Sequence, residues 1–412
     1  MKFSLTDYPH PHPYPHHSPC VGEIADDKKN VLQELSELKN KIGVFKSSIW
    51  KHSRWYVNPY DFKLRQHSVV INRAFYKYWE IQHEFNLLDS FDVQKDFVFC
   101  GAEAPGGFIQ AIIESLKKRE IDNGLLNKKE VLSDDDGFTL VTRKRPKKIL
   151  RNNFIYTMSL RKTNKPTPSY DYRISESKHV TIIDGITKTG DLTCQNIQTM
   201  YKLKGSVQVI TADGGVDEGV DYNDKENIHH YLILKELYSA LYLQKIGGNF
   251  VLKVFDTVTM SSVHLLYFLT KCYKQVVLFK PKTTRPTNSE KYVVCKDFQV
   301  SDTDRQHLLN EIKAKIEFAN KECEKPFKYT LTKDPVPQSF IDMCINANVI
   351  YMNSQYRVLK KAIEICKKIQ GNKKVVSSIS YKEIAFKRWI EAYKLPTALF
   401  PNDTTVYTDE TY

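Results

Sequence analysis

The sequence predicts an α/β fold whose central sheet is largely parallel and carries helices on both faces. The first observation behind this prediction is a short apolar segment, residues 97–100, which is followed by a glycine-rich turn and a helical pattern. A strand, a glycine turn and a helix in this order are typical of the opening of a nucleotide-type α/β domain. The second observation is the alternation of strand and helix patterns over residues 207–295, which is typical of βαβ units.

Length and composition limit the classes to which the chain can belong. Its 412 residues exceed what one minimal core requires, so we expect a main domain with extensions. No run of about 18 apolar residues is present and the N-terminus lacks an apolar signal core, so neither a membrane span nor secretion is expected. The eight cysteines form no CxxC pairs and show no zinc-finger spacing, which argues against a zinc site and a disulfide framework and favours a reducing compartment.

The net charge favours a polyanionic partner such as nucleic acid. The chain carries 61 Lys and Arg against 48 Asp and Glu, which gives a net charge of +13 and a pI near 9.1. A compact basic run at residues 143–148 follows the acidic residues 134–136. This run is either a solvated loop or a segment for phosphate contact or localisation.

Both ends of the chain differ from its centre. Residues 1–25 contain five Pro and four His, a density of Pro that predicts a disordered tail; metal binding by these His is the less favoured alternative. An amphipathic helix is predicted over residues 26–42, ending at Gly43, within an N-terminal extension at 26–68. The main domain is expected at 69–300. Residues 301–412 predict a C-terminal helical extension, with helices at 356–369 and 381–393 among its elements.

Apolar periodicity predicts the elements of the main domain. A helix over residues 69–86 precedes the first strand, and another follows the turn 101–107. Residues 117–150 are polar and are expected to form an insertion. The later predicted elements are strands at 154–156, 180–183, 207–212, 250–255, 276–279 and 292–295, and helices at 260–273 and at 227–246, the latter ended by Gly247 and Gly248.

Two charged residues lie at or near the carboxyl ends of predicted strands. Asp213 belongs to the sequence TADGG at residues 211–215, and Lys253 lies inside the apolar sequence FVLKVF at 250–255. Because ligands of open α/β sheets bind at these ends, the two side chains are expected to meet in one cleft. An ammonium is costly to bury without partners, which favours a functional role for Lys253 over an ordinary ion pair.

Three further motifs complete a pattern that resembles a known family. They are RAFYK at residues 73–77, EAPGGF at 103–108 and KPKTTRPTNSEKY at 280–292. With the two motifs above, they place Lys, Asp, Lys and Glu in the chain order of the FtsJ-like, Rossmann-type RNA 2′-O-methyltransferases. The resemblance covers residues 70–296. The variant motifs are most similar to the Adrift-type cap methyltransferases and to versions encoded by large cytoplasmic DNA viruses.

The resemblance implies a Rossmann-like S-adenosylmethionine-dependent methyltransferase fold and a catalytic tetrad of Lys77, Asp213, Lys253 and Glu290. Lys253 would remove the proton of a ribose 2′-hydroxyl, Lys77 would steer the 2′-oxygen, and the two carboxylates would orient the lysines. Such a base needs a pKa below the usual value of about 10.4. Burial, Lys77 and the sulfonium lower the pKa of Lys253, whereas the two carboxylates raise it.

The implied cofactor is S-adenosylmethionine, and no metal is expected. Glycines let the backbone approach a ligand, and the helix N-terminus after the turn favours its carboxylate. Many relatives carry Asp where this chain has Cys100, so Glu103 is expected to take over part of the ligand contact. Asp191 either accepts a hydrogen bond from the adenine amino group or caps a helix. The predicted cofactor-binding residues are Cys100, Gly101, Glu103, Pro105, Gly106, Gly107, Asp191 and Asp213.

RNA is expected to contact the loop that carries Glu290. The predicted RNA-binding residues are Arg73, Lys282, Arg285, Asn288 and Ser289. Trp50, Trp55 and Tyr56 are candidates for stacking on a methylated guanine cap, whereas core packing is favoured for Trp79.

These features favour an enzyme that methylates the ribose 2′-hydroxyl of capped mRNA at the first or second transcribed nucleotide. The expected partners are capped mRNA and the capping or transcription machinery. The expected location is intracellular: cytoplasmic, in a viral factory or virion if the protein is viral, with the nucleus as the alternative. The same chemistry on ribosomal or transfer RNA is one rival function. A non-catalytic RNA-binding subunit is another, against which the intact tetrad argues.

Overall fold

The protein is built around an eight-stranded sheet. The computed structural model describes residues 1–6, 26–60, 69–122, 150–161, 167–216, 225–321, 330–332, 335–375 and 379–396. Within them the strands are β1 (Lys2–Ser4), β2 (Phe97–Gly101), β3 (Ile155–Met158), β4 (Val180–Ile182), β5 (Val207–Ala212), β6 (Gln244–Val254), β7 (Tyr273–Phe279) and β8 (Lys291–Phe298). Their spatial order is β1-β7-β8-β6-β5-β2-β3-β4.

The prediction of a largely parallel sheet is confirmed. Strands β2 to β6 pair in parallel, whereas β8 runs antiparallel to both of its neighbours, β6 and β7. The reversal follows from the connection, because β8 is joined to β7 by the loop of residues 280–290 rather than by a crossover helix. The sequence KPKTTRPTNSE therefore occupies the turn between two antiparallel strands at one end of the sheet.

The N-terminus departs from the prediction of a disordered tail. Residues 2–4 form β1, which pairs antiparallel with residues 277–279 of β7. The Met1 carbonyl also accepts hydrogen bonds from the Lys280 amide at 3.0 Å and the Tyr351 hydroxyl at 3.2 Å. The pattern of Pro and His that suggested disorder begins only after these residues, and an edge strand gains ladder hydrogen bonds wherever it can pair. The rest of the predicted tail, residues 7–25, lies outside the described residues.

Eleven helices belong to the described residues. They are α1 (Asp26–Ile42), α2 (Ser47–Val57), α3 (Ala74–Phe85), α4 (Gly107–Asp122), α5 (Tyr172–Ser175), α6 (Cys194–Gln198), α7 (Lys225–Leu243), α8 (Met260–Cys272), α9 (Asp302–Lys321), α10 (Gln338–Gln370) and α11 (Ile379–Ala392). Two predicted boundaries are wrong. Helix α4 runs to Asp122, into the predicted insertion, whose residues 123–149, including the basic run, lie outside the described part of the chain.

The second wrong boundary concerns the glycine pair after α7. This helix ends at Leu243 and β6 begins at Gln244, so Gly247 and Gly248 lie inside a long strand instead of ending a helix. A β-carbon on Gly248 would lie 2.2 Å from the Gln244 side-chain nitrogen and 2.9 Å from the Gln208 carbonyl oxygen. Glycine is therefore required here by close backbone approach at an irregularity between β5 and β6.

Helices pack on both faces of the sheet. On one face, α3 and α4 contribute Phe75, Trp79 and Ile112 to a core that also holds Trp389 of α11. On the other face, α7, α8, α9 and the first half of α10 build a second core. The C-terminal helices are thus divided between the two faces, and none of the described helices is long and apolar enough to cross a membrane.

Helices α1 and α10 form a third, smaller cluster. Leu35 and Ile42 of α1 pack with Met352 and Leu359 of α10, with Trp50 of α2 partly buried against them. The amphipathic helix predicted over residues 26–42 is confirmed with the same bounds. Its apolar face covers the long C-terminal helix.

Candidate active site

Two ion pairs lie side by side at the carboxyl ends of the central strands. Lys77 of α3 places its Nζ 2.7 Å from Oε1 of Glu290, which directly precedes β8. Lys253 of β6 places its Nζ 3.3 Å from Oδ1 of Asp213 and donates a hydrogen bond of 2.8 Å to the Asp213 carbonyl oxygen. All four side chains are largely buried, with 10–15% of their surface exposed. The structure therefore brings together the four residues of the predicted tetrad.

Tyr292 joins the two ion pairs. Its hydroxyl lies 2.8 Å from Oδ1 of Asp213 and 3.0 Å from Oε1 of Glu290, and its one proton is donated to one of them at a time. The side chain is fully buried on β8, where Tyr292 pairs in register with Lys253. Burial between two carboxylates raises the pKa of Tyr292 well above its ordinary value, so the hydroxyl remains a donor. Sequence reasoning missed this residue.

The charges of the tetrad stabilise one another. Burial lowers the pKa of Lys253, but Asp213, Glu290 and Glu236 together outweigh it and raise that pKa above its ordinary value. For Glu290, burial acts to raise the pKa, but Lys77 and Lys253 outweigh burial and lower it. In the protein without ligands, Lys253 is therefore an ammonium and Glu290 a carboxylate near neutral pH. Lys253 has to lose a proton before it can act as a base.

Glu236 of α7 is a further carboxylate beside the tetrad. It is buried, and its Oε1 accepts a hydrogen bond of 3.2 Å from the Gly214 amide. Burial raises the pKa of Glu236 to about 8, although Lys253 acts in the opposite direction. A β-carbon on Gly214 would lie 2.3 Å from the same Oε1, which explains the first glycine of the TADGG sequence. Sequence reasoning missed Glu236 because α7 is separated from Asp213 along the chain.

The glycine-rich turn after β2 carries a buried carboxylate without a partner. Cys100 at the end of the strand is fully buried, and burial raises the pKa of its thiol well above the ordinary value. Glu103 is 5% exposed, and neither of its carboxylate oxygens has a hydrogen-bond partner among the described residues. Burial raises the pKa of Glu103 well above its ordinary value; the neighbouring Thr211 hydroxyl acts against this shift and Asp213 reinforces it. An orphaned buried carboxyl group is costly, and a ligand with hydrogen-bond donors would satisfy it.

A cavity of about 350 Å³ opens beside this turn. Ala104 lines it from the turn, Ser159 and Tyr170 line it beyond β3, and Ile182 lines it at the end of β4. This volume lies in the range of small-molecule sites. Its position agrees with the rule that open α/β sheets bind ligands at the carboxyl ends of their strands. S-adenosylmethionine, which carries an ammonium and two ribose hydroxyls as donors, fits the unpaired Glu103 carboxyl group.

The other residues of the turn are packed against protein. Gly106 has a φ of +110°, and a β-carbon there would lie 2.6 Å from the Ile174 side chain. A β-carbon on Gly107 would lie 2.0 Å from Oδ1 of Asn72. The Pro105 carbonyl accepts a hydrogen bond of 3.1 Å from the Asp171 amide. These two glycines leave room for α5 and for the segment before α3, and their contact with the cofactor stays a prediction.

Gly101 and Asp191 lie at the edges of the same region. A β-carbon on Gly101 would contact Phe99 at 3.3 Å and Leu192 at 3.4 Å. Both carboxylate oxygens of Asp191 lie 2.9 Å from Nζ of Lys235 in α7. The capping alternative for Asp191 is wrong, because Thr193 caps α6. The adenine contact of Asp191 stays a prediction.

The predicted RNA-binding residues fall into two groups. Lys282 and Arg285 are exposed on the 280–290 loop, as a phosphate contact requires. Arg73 and Asn288 shape the loop: Nη2 of Arg73 donates to the Thr283 carbonyl at 3.0 Å, and Oδ1 of Asn288 accepts from the Glu290 amide at 3.4 Å.

Ser289 does not face the solvent as an RNA contact should. It is buried, and its hydroxyl donates to Oδ2 of Asp256 at 3.0 Å. The prediction for Ser289 is therefore wrong in the described structure. Trp79 is fully buried and donates to the Tyr393 carbonyl at 2.9 Å, which confirms core packing for this residue.

Two residues that sequence reasoning missed, partly buried Lys280 and buried Glu80, hold the loop through hydrogen bonds. Lys280 donates to the carbonyl oxygens of Asn288 at 2.6 Å and Glu290 at 2.8 Å, and burial lowers the pKa of Lys280 to about 7. Glu80 of α3 accepts hydrogen bonds from the Lys282 amide at 2.7 Å, the Thr283 amide at 3.2 Å and the Trp389 indole at 3.1 Å. Helix α11 thereby contacts the same carboxylate that fixes the loop.

Comparison with known proteins agrees with this geometry. The sequence profile described as FtsJ-like methyltransferase matches residues 70–298. The cap-specific mRNA (nucleoside-2′-O-)-methyltransferase 1 of Mus musculus is 34% identical over 185 residues, 43% of this chain and 22% of that protein. The protein of the same name from Dictyostelium discoideum is 28% identical over 304 residues, 68% of this chain and 37% of that protein.

A viral relative is similar over a shorter segment. The cap-specific mRNA (nucleoside-2′-O-)-methyltransferase of Autographa californica nuclear polyhedrosis virus is 32% identical over 151 residues, 34% of this chain and 58% of that protein. The matched part thus spans less than two thirds of each of these three relatives. The family profile covers more than half of the chain, including all four tetrad residues and the glycine-rich turn. The chain belongs to the FtsJ-like methyltransferase family.

Proposed function

We propose that this protein methylates the ribose 2′-hydroxyl of capped mRNA near its 5′ end, with S-adenosylmethionine as the methyl donor. The observation that carries the proposal is the joined pair of ion pairs, Lys77 with Glu290 and Lys253 with Asp213, next to an unpaired buried carboxyl group at Glu103. The three relatives are cap-specific mRNA methyltransferases, which supports the choice of substrate.

The tetrad residues have distinct roles in this proposal. S-adenosylmethionine supplies the methyl group as a positively charged sulfonium. Lys253, held between Asp213 and Glu290, orients the 2′-oxygen as an ammonium and takes up the hydroxyl proton once its own proton has left. A nearby positive charge and the exclusion of water both lower the pKa of an ammonium. Lys77 keeps a second cation beside the oxygen, and Tyr292 fixes the distance between the two carboxylates.

The resting ionisation state gives the proposal a pH dependence. Because the pKa of Lys253 is raised, little of the free enzyme has a neutral amine at pH 7. If Lys253 is the base, kcat/KM should rise with pH above neutrality. A rate that does not change between neutral and alkaline pH would instead assign Lys253 to orientation and charge stabilisation alone.

Methyl transfer to capped and uncapped RNA of one sequence tests the proposed function. We expect transfer to capped RNA, and a loss of at least about 100-fold in Lys253→Ala and Lys77→Ala with S-adenosylmethionine affinity nearly unchanged. Lys245→Ala is the control, because Lys245 also pairs with a carboxylate, Asp96 at 2.9 Å, but at the amino ends of the strands and away from the tetrad. It should retain full activity.

The same experiment separates the rival functions. Equal methylation of capped and uncapped RNA would support ribosomal or transfer RNA as the substrate. RNA binding without methyl transfer to any RNA would support a non-catalytic subunit. The proposal also places the protein inside the cell where mRNA is capped, with the capping or transcription machinery as its partner. Co-purification of those enzymes from producing cells would test that part.

A further inference from the structure

The second half of α10 carries an unusual concentration of positive charge. Residues 357–374 contain seven Lys and Arg and one acidic residue, Glu364, so this segment supplies +6 of the net charge of +13. The preceding residues 338–356 contain no Lys or Arg and one acidic residue, Asp342. Five of the seven basic residues lie in the second half of the helix, and Lys373 and Lys374 follow its end at Gln370.

The basic side chains share one exposed face of the helix. We call this face the α10 stripe; its members are Arg357, Lys360, Lys361, Lys367 and Lys368, all exposed. Their spacing of three, four and seven residues places them on one side of a helix with 3.6 residues per turn. The opposite side, with Leu359 and Ala362, is buried. From Arg357 to its last member, Lys368, the stripe extends for about 17 Å at about 1.5 Å per residue.

The stripe begins beside the loop of the active site. Gln355, two residues before it, donates a hydrogen bond of 3.0 Å to the Thr287 carbonyl. The Tyr351 hydroxyl, one turn earlier, lies 2.9 Å from the Leu278 carbonyl at the end of β7 and donates its one proton either to this oxygen or to the Met1 carbonyl. Thr287 lies between exposed Arg285 and Glu290 of the tetrad. Gln355 reaches the loop from the buried side of α10, so a polyanion that contacts Arg285 has to cross this helix to reach the stripe on its exposed side.

The usual explanation of a charged helix face is solvation supported by pairs of opposite charge. Such faces mix Glu or Asp with Lys or Arg at spacings of four residues. Here a single carboxylate, Glu364, lies among the five basic residues at a spacing of four from Lys360 and Lys368, so the face keeps a net charge of +4. Among the described residues, none of those five forms an ion pair. Uncompensated like charges on one face repel one another, and phosphate groups would relieve that repulsion.

We propose that the α10 stripe binds the phosphate backbone of the RNA body, downstream of the nucleotide that is methylated. This inference rests on the proposed function, because it assumes an RNA whose 5′ end lies in the active site. The stripe lies beyond the segment that the family profile matches, residues 70–298. It would add affinity that does not depend on RNA sequence and would leave the chemistry at the tetrad unchanged.

A charge-reversal variant tests the proposal. It changes Lys360, Lys361, Lys367 and Lys368 to Glu, all at exposed positions. The control variant changes four exposed lysines near the amino ends of the strands, at the end of the sheet opposite the active site. It has the same net charge as the stripe variant. These four are Lys178, Lys202, Lys204 and Lys274.

Two substrates separate the stripe from the active site. With a long capped RNA, the stripe variant should show a KM at least tenfold higher than the wild type at low salt, with kcat unchanged. The slope of log affinity against log salt should fall by about 2 to 3, because each phosphate contact of single-stranded RNA contributes about 0.7. With a capped dinucleotide, which is too short to reach the stripe, both variants should behave as the wild type.

Several outcomes would overturn the inference. An unchanged KM for long RNA in the stripe variant would do so, and so would an equal loss in both variants, which would indicate a general effect of net charge. Reduced binding to an acidic protein or to anionic vesicles, with RNA affinity unchanged, would assign the stripe to another partner. Binding of long RNA can be measured even if no RNA is methylated. Failure of the proposed function is therefore distinguishable from failure of this inference.

Discussion

Replacement of Tyr292 by Phe removes one hydroxyl from the centre of the tetrad. The ring would keep its packing, including the contact with Phe108 at 5.9 Å between ring centroids. The lost group is the donor that lies 2.8 Å from Asp213 and 3.0 Å from Glu290. Neither carboxylate would be left without a partner, because Lys253 and Lys77 remain beside them. The substitution therefore tests the bridge and leaves the ion pairs in place.

The structure sets the size of the expected effect. A hydrogen bond to a charged group contributes about 1.5–3 kcal/mol, against about 0.5–1.5 kcal/mol for a neutral pair. Because both carboxylates of the bridge retain a lysine, we expect the lower part of the first range, about 1.5–2 kcal/mol, in the free energy of unfolding. If the bridge also orients the tetrad in the transition state, kcat should fall about tenfold, since about 1.4 kcal/mol corresponds to a factor of ten.

Tyr273→Phe is the matched control for Tyr292→Phe. Tyr273 is buried on the neighbouring strand β7, and its hydroxyl donates to the neutral side chain of Gln244 at 3.1 Å. We expect a loss of about 1 kcal/mol in stability and no change in kcat. Urea denaturation and single-turnover methyl transfer would measure both quantities. If Tyr292→Phe retained wild-type kcat while losing stability, the bridge would be structural and its assignment to the active site would be refuted.

Two further substitutions test the cofactor turn and the C-terminal helices. The pKa of Glu103 in the folded protein lies above the ordinary value of 4.5. The protonated side chain therefore makes its full contribution to the free energy of unfolding below pH 4.5, and this contribution is lost as the pH rises. Glu103→Gln should therefore lose less stability than the wild type between pH 5 and 8 in denaturation, and should bind S-adenosylmethionine about tenfold more weakly in calorimetry. Asn348 of α10 is buried; it accepts a hydrogen bond of 2.8 Å from the Thr257 hydroxyl and donates one of 2.6 Å to the Thr257 carbonyl. Asn348→Ala should therefore reduce the free energy of unfolding, measured in urea, by about 1–3 kcal/mol. An Asn348→Ala variant as stable as the wild type would contradict that reasoning.

Sequence patterns predicted the parts of the site that lie in local motifs. Lys253 was identified because an ammonium inside an apolar strand needs partners, and Asp213 because it follows a strand directly. Tyr292 was not identified, although it lies two residues from Glu290. Its role depends on β8 lying antiparallel beside β6, which brings it level with Lys253. The order of strands in a sheet is a long-range property that the period of an apolar segment does not contain.

The glycine-rich turn shows a different limit of sequence reasoning. The glycines at 106 and 107 predict close approach at this turn, and the structure confirms close approach to protein atoms. Which protein atoms come close to the glycines depends on tertiary packing, because Ile174 and Asn72 are both distant from them along the chain. The orphaned carboxyl group of Glu103 was visible in the sequence as a displaced acid. Its lack of a partner becomes apparent only when the residues around it are placed.

Helices beyond residue 298 make hydrogen bonds that hold the active-site loop of residues 280–290 in place. Trp389 of α11 donates to Glu80, which holds the loop at Lys282; Gln355 of α10 holds the same loop at Thr287. A third contact, from Asn348 to Thr257, fixes the segment that follows Lys253 along the chain. None of these C-terminal residues belongs to the segment matched by the family profile. A buried donor or acceptor that loses its partner costs free energy, so these hydrogen bonds tend to persist. Movement of α10 or α11 would therefore be transmitted to the loop that carries Glu290. Substitution of Trp389, Gln355 or Asn348, whose side chains make these contacts, should therefore alter kcat even though these residues lie away from the tetrad.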